Sequence, residues 1–228
     1  MPIFRLALVF TLIVPGAGMA ETAVNMPSVG FRYTMQMHVD TNLASGNSNS
    51  VLRREVVASD GTTIETRNEG TISGGDREFA TSGKTTYRLF FPIDSETTAQ
   101  PVPDQPPMTT GTTWDCPADG LDKFYPRGTA TEVSVECKVT EKLKGQVMGP
   151  QPLTLSFSDL GQAQDTTLAG TFEVRKIVVR SGSAGITSEI RYDFAPELGI
   201  SVVQETKIST PQRETVTHSE LADFTPAP

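Results

Sequence analysis

Three aspartates fall within a short stretch, Trp114-Asp115-Cys116-Pro117-Ala118-Asp119-Gly120-Leu121-Asp122. Carboxylate oxygens clustered beside a glycine are the donor type of a Ca²⁺ site. Their spacing departs from the twelve-residue calcium loop, and a solvated acidic turn explains the same residues more simply. The two histidines, His38 and His218, are the other candidates for metal or acid–base chemistry. Neither has a second His or Cys at ligand spacing. His38 falls on the polar face of a predicted strand, and His218 sits near a C-terminus expected to fray. Gly-x-Ser-x-Gly, the phosphate loop, the dinucleotide fingerprint and His-Glu-x-x-His do not occur. The expectation is therefore no catalytic residues, no metal, no cofactor and no enzymatic activity.

Cys116 and Cys137 are the only cysteines and lie 21 positions apart. A redox or zinc pair favours close C-x-x-C spacing or added histidines, so these two are expected to form a structural disulfide in an oxidising compartment. The first twenty residues name that compartment. Arg5 supplies the cation, Leu6 to Val14 the apolar run, and Gly18-Met19-Ala20 a small-residue exit, the three parts of a secretory signal. Cleavage is expected between Ala20 and Glu21, with residues 21–228 forming one domain. The apolar run is too short to span a bilayer and is broken at Pro15-Gly16. No later stretch is apolar enough to cross a membrane as a helix.

Acidic side chains outnumber basic ones, 27 to 19, for a formal net charge of −8. A nucleic-acid partner needs a basic face, so this balance argues against one.

The elements that would position any site are strands. From Phe31 to Asp40 apolar and polar residues alternate strictly, the signature of a half-buried strand. The pattern returns at Val133, Val135, Cys137 and Val139, at Leu153, Leu155 and Phe157, and at Ile186, Ile190, Tyr192 and Phe194. Asp60-Gly61 predicts a hairpin turn, and Ser73-Gly74-Gly75-Asp76, Thr81-Ser82-Gly83 and Ser181-Gly182-Ser183-Ala184-Gly185 predict further turns. Thr41 to Ser50 reads as a loop. Prolines at 92, 101, 103, 106 and 107 argue against a central strand and mark 92–108 as a surface crossover. Helical periodicity is nearly absent after the signal. The fold class is all-β: a curved antiparallel sheet, half-barrel or sandwich of consecutive hairpins.

Ala195-Pro196-Glu197-Leu198 joins two predicted strands, with Pro196 fixing a turn dihedral and Gly199 free to take positive φ. The residues Tyr192-Asp193-Phe194-Ala195-Pro196-Glu197-Leu198-Gly199, followed by Ile200 to Glu205, resemble the Tyr-Ala-Pro-x-x-Gly hairpin of uncharacterised exported bacterial proteins of the DUF3108 type. Gly111-Thr112-Thr113-Trp114 is similar to their Gly-x-x-Trp strand entry. The resemblance covers the C-terminal half and implies a curved antiparallel sheet close to the half-barrels that carry lipids or lipoproteins in the cell envelope. It implies no catalytic residues. Asp193-Phe194 departs from the pattern, and the disulfide is not a feature of that group.

Export, a curved sheet and the missing catalytic motifs point to a soluble periplasmic or secreted binding or carrier module, for an apolar ligand or a lipoprotein. The alternative is an envelope assembly factor working through protein contacts.

Overall fold

The computed structural model describes residues 24–42, 47–74, 77–100, 106–121, 123–124, 130–183 and 185–227. The signal segment and its exit at Ala20-Glu21 lie outside them, as does Asp122. The described residues form twelve antiparallel strands: β1 (Arg32–Thr41), β2 (Ser48–Ser59), β3 (Thr63–Gly74), β4 (Arg77–Arg88), β5 (Phe91–Ala99), β6 (Met108–Asp115), β7 (Glu132–Leu143), β8 (Gln146–Thr167), β9 (Gly170–Ser183), β10 (Ile186–Ala195), β11 (Ile200–Ser209) and β12 (Glu214–Thr225). Each pairs with its neighbours in sequence, and β12 returns to β1, closing the sheet into a barrel. Among the described residues the one helical element is a four-residue turn, α1 (Ala118–Leu121).

Alternation decides which side chains face inward. Tyr33 and Met35 on β1, Val135 and Cys137 on β7, Leu155 and Phe157 on β8, and Tyr192 and Phe194 on β10 are all at most 5% exposed. Their outward neighbours are charged or polar: Arg32 pairs with Glu55 at 3.0 Å, and Arg67 with the same carboxylate at 2.5 Å. The packed side chains gather at one end of the barrel in two adjoining clusters. In the first, Phe90 sits 5.4–6.4 Å from the rings of Phe124, Phe157, Tyr192 and Phe194, tilted or edge-on as aromatic quadrupoles prefer. Phe90 reaches this position from the tight β4–β5 turn, where Leu89 takes φ 57°, a conformation unfavourable for a leucine. Burial of the neighbouring ring offsets that cost.

The disulfide expected from the sequence is formed, Cys116 to Cys137. It ties α1 and Phe124 beneath the same end. The turn after β10 is also as expected. Gly199 takes φ 66°, and the carbonyl oxygen of Asn25 lies 2.0 Å from where a Cβ would sit. Only glycine fits there. The N-terminal segment straps this turn through Asn25 N–H donating to the Pro196 carbonyl at 2.8 Å.

Four expectations change. Residues 92–99 belong to strand β5, paired with β4 and β6, and are no crossover. Pro92 is tolerated because it stands at the start of the strand, opposite a register shift at Thr86/Tyr87; the later prolines follow Ala99. Gly83 is no turn residue but lies within β4, where Glu96 O would be 2.0 Å from a Cβ, so the glycine permits a close approach of β5. The Thr41 to Ser50 loop is shorter than expected, since β2 begins at Ser48. The C-terminus does not fray at His218: β12 is the strand that closes the barrel.

Candidate functional site

Hairpin connections place one set of loops at the packed end and the other at the opposite end, and inward-facing residues differ sharply between the two. Along β10, Phe194 and Tyr192 are buried, Ile190 and Ser188 are half-buried, and Ile186 is 49% exposed. Along β7, Val135 and Cys137 give way to half-buried Val139 and then to Leu143 at 47%. β11 repeats the gradient from Gln204 and Thr206, facing Tyr192 and Ile190 across the ladder, to Ile208 at 42%. The barrel is a cup, sealed by aromatic packing at one end and opening toward the other along β7, β10 and β11, while on β2 and β4 the inward Ser50 and Thr81 stay buried. Near the rim, Val139, Met148, Leu153, Ser181, Ile186 and Ser188 line a cavity of about 280 Å³, just below the usual size of small-molecule pockets.

The floor of the open half is polar. Arg54 on β2 faces inward beside Tyr33 on β1 and Asn68 on β3. Its Nη1 donates to Tyr87 Oη at 2.6 Å. The guanidinium lies 5.7 and 5.6 Å from the ring centroids of Tyr33 and Tyr87, within cation–π range. Its Nε is sealed from solvent and has no hydrogen-bond partner. Burial pushes the Tyr87 phenol up to about 12, so it remains a neutral neighbour of the cation. Asn68 is settled differently, donating to Thr85 Oγ1 at 2.9 Å and accepting from Thr66 Oγ1 at 3.0 Å. Tyr192 Oη and Ser201 Oγ are sealed without partners, as is Ser50 Oγ. Tyr33, Arg54, Tyr87, Ser201, Gln204 and Ser219 surround a cavity of about 20 Å³, the size of a single water.

A second charged cluster lies on the outer wall. Lys176 Nζ is 2.6 Å from Asp193 and 3.5 Å from Asp165. Burial, reinforced by the Asp165 carboxyl, pushes Asp193 up to about 6 against the pull of Lys176. The adjoining groove, about 390 Å³, is lined by Val178, Val203, Arg191, Glu205 and His218. Its charges answer one another: Arg180 and Arg191 pair with Glu189 at 2.7 and 2.8 Å, and Arg191 approaches Glu205 at 3.8 Å.

The residues singled out by sequence do not assemble into a site. Asp115 ends β6 and Asp119 falls in α1. Among the described residues no group of three or more His, Cys, Asp or Glu is arranged to hold a metal ion. His38 and His218 stand directly opposite each other on β1 and β12, a juxtaposition that sequence spacing does not reveal. Both are exposed, and the ring of His38 is hydrogen-bonded to Asn49 Oδ1 at 2.6 Å and Asp40 Oδ1 at 3.0 Å. These contacts, Asn49 first, raise its basicity. Arg54 is the residue that the sequence reading missed. Its signal was present: Leu52, Arg54 and Val56 alternate with outward residues, which puts a cation at an inward position.

No protein-family model matches the chain. No curated protein matches it either. Two solved structures are similar in shape. One is a β-barrel-like protein of the domain of unknown function DUF1849 from Brucella abortus, with a TM-score of 0.44, 11% identity, and coverage of 90% of this chain and 100% of that one. The other is a protein with a YmcC-like fold from Bacteroides fragilis, with a TM-score of 0.41, 12% identity, and coverage of 90% and 99%.

Proposed function

We propose that this chain is an exported binding or carrier module that holds its ligand in the open half of the barrel, binding it without transforming it. The observation that carries the reading is the exposure gradient along the inner wall. A barrel built only as a scaffold gains by packing its whole interior, whereas here the inward positions of β7, β10 and β11 open toward the rim. The charged outer face, with Arg32, Glu55 and Arg67 in one row, suits water rather than lipid. A periplasmic or secreted address accords with the disulfide and with the Tyr192 to Gly199 hairpin that resembles DUF3108-type proteins. Native mass spectrometry of the protein purified from its host without detergent tests the reading. A small-molecule adduct is expected, and recovery of the bare chain alone counts against it.

A second reading, an envelope assembly factor, draws on the tip of the β7–β8 hairpin, where Leu143, Val147 and Met148 are 47%, 68% and 40% exposed. Crosslinking in cells should then recover one dominant protein partner, lost in Val147→Asp.

A further inference from the structure

We propose that Arg54 is the anion anchor of the cup, holding the carboxylate or phosphate head of an amphiphile whose tail runs toward the rim. The proposal rests on the lumen being a binding site, and adds the class of ligand.

A guanidinium withdrawn from water is costly unless a carboxylate or a full set of acceptors compensates it. Among the described residues no carboxylate lies within ion-pair distance of Arg54, although its outward neighbour Glu55 has two arginines. Its contacts are the phenol oxygens of Tyr87 and Tyr33 and the faces of the same two rings, with no anion among them. The Nε donor is unanswered. Two further polar atoms near the same floor are likewise sealed and unpartnered: Ser201 Oγ, on the cavity lining, and Tyr192 Oη, whose ring lies 5.4 Å from Phe90 on that lining. An acceptor-only, negatively charged group would answer all three. A neutral or cationic head would leave the guanidinium uncompensated.

Position supports the same ligand. Arg54 stands between the aromatic core and the rim, directly across the ladder from Tyr33. Above it the inner face carries Met37, Val39, Ile190 and Ile208, at least half-buried or exposed toward the lumen, mixed with Thr206 and Ser219. Such a wall accepts an apolar tail with its head down. The water-sized space beside the guanidinium must widen to admit a head. Its lining includes Met35 and Gln204, long flexible side chains able to give way. The outer groove at Lys176 offers no comparable site, because its charges are already paired within the wall.

Isothermal titration of the exported protein with laurate, dodecyl phosphate and the neutral ester monolaurin tests this. Laurate, dodecyl phosphate or both should bind at least roughly tenfold more tightly than monolaurin, the size of one hydrogen bond to a charged group; the tighter of the two identifies the head. In Arg54→Met that preference should vanish while the unliganded protein melts at the same or a higher temperature, since an apolar side chain relieves the uncompensated cation. Arg54→Lys should keep part of it, a point charge replacing a fork. Equal binding of laurate, dodecyl phosphate and monolaurin by the native protein overturns the anchor but leaves the cup. A lowered melting temperature in Arg54→Met with the preference intact shows a structural strut and also overturns it. Binding of none of the three sinks the cup reading itself.

Discussion

The two ends of this barrel are built from the same alternating wall and serve opposite demands. At the sealed end the inward aromatic residues are Phe31, Tyr33, Phe90, Phe91, Phe124, Phe157, Tyr192 and Phe194, all below 10% exposure. Toward the open end the inward residues are mostly aliphatic, serine and threonine, still buried at Ser50 and Thr81 but rising to 49% exposure at Ile186. Aromatic residues make up only 7% of the chain, too few to fill a twelve-stranded interior, and they are concentrated where the disulfide, α1 and the N-terminal strap also act. Stability is thus concentrated in one half, which frees the other half from having to pack.

Substitutions that probe this contrast should differ most at the centre of the sealed end. Phe194→Ala removes a fully buried ring that packs against Phe90 and should cost about 3–5 kcal/mol, read from urea denaturation at constant m. Removing the disulfide as Cys116→Ala with Cys137→Ala should cost about 3 kcal/mol on the loop-closure model for a separation of this size. Adding reductant to the native protein should reproduce most of that loss. An undiminished unfolding midpoint in the double variant would show that α1 and Phe124 are held by packing alone.

Much of the sealed end was legible in the residues. Period-two alternation located β1, β7, β8 and β10, and with them the inward side chains, because a half-buried strand has few other ways to place them. The Asp60 turn was legible for a local reason: its carboxylate accepts from the N–H groups of Thr62 and Thr63 at 2.8 and 2.7 Å, which holds its proton affinity well below the usual carboxylate range. Closure of the barrel was not legible. β1 and β12 sit at opposite ends of the described chain, and alternation specifies a face but not a partner. For the same reason the facing of His38 and His218 could not be seen. The proline rule fails at β5 because it acts position by position: Pro92 stands at the start of the strand opposite a register shift, and the other prolines of the stretch follow Ala99. Arg54 was overlooked because a charged residue is ordinarily assigned outward, and its inward register emerges only once Val56 is fixed in the core.

A smaller effect is expected on the outer wall between the two ends. Asp193 titrates near 6 in the folded protein, above its ordinary value of 3.8. A raised carboxyl favours the protonated native state, so its stabilisation is complete below about 3.8 and is lost as pH rises through about 6. Asp193→Asn, permanently neutral, should therefore gain on the native protein by roughly 1 kcal/mol between pH 4 and pH 7.5, after allowance for partial exposure and for Lys176. A stability difference that stays flat across that range would place the titration elsewhere.

The smallest effect should come from the rim, and it is the most discriminating for the cup. Ile208 faces inward, paired across the ladders with Ser188 and Thr215, yet is 42% exposed. If the upper half is open, Ile208→Ser removes a side chain that already meets water over much of its surface and leaves no sealed cavity. The expected cost is then within about 0.5 kcal/mol, an order of magnitude below that of Phe194→Ala although both residues occupy inward positions on neighbouring strands. A cost above about 2 kcal/mol would mean that the upper wall is packed in solution, since only a filled site carries a cavity penalty of that size. The ratio of the two costs, measured under one set of conditions, therefore reports whether the barrel has an open interior independently of any ligand.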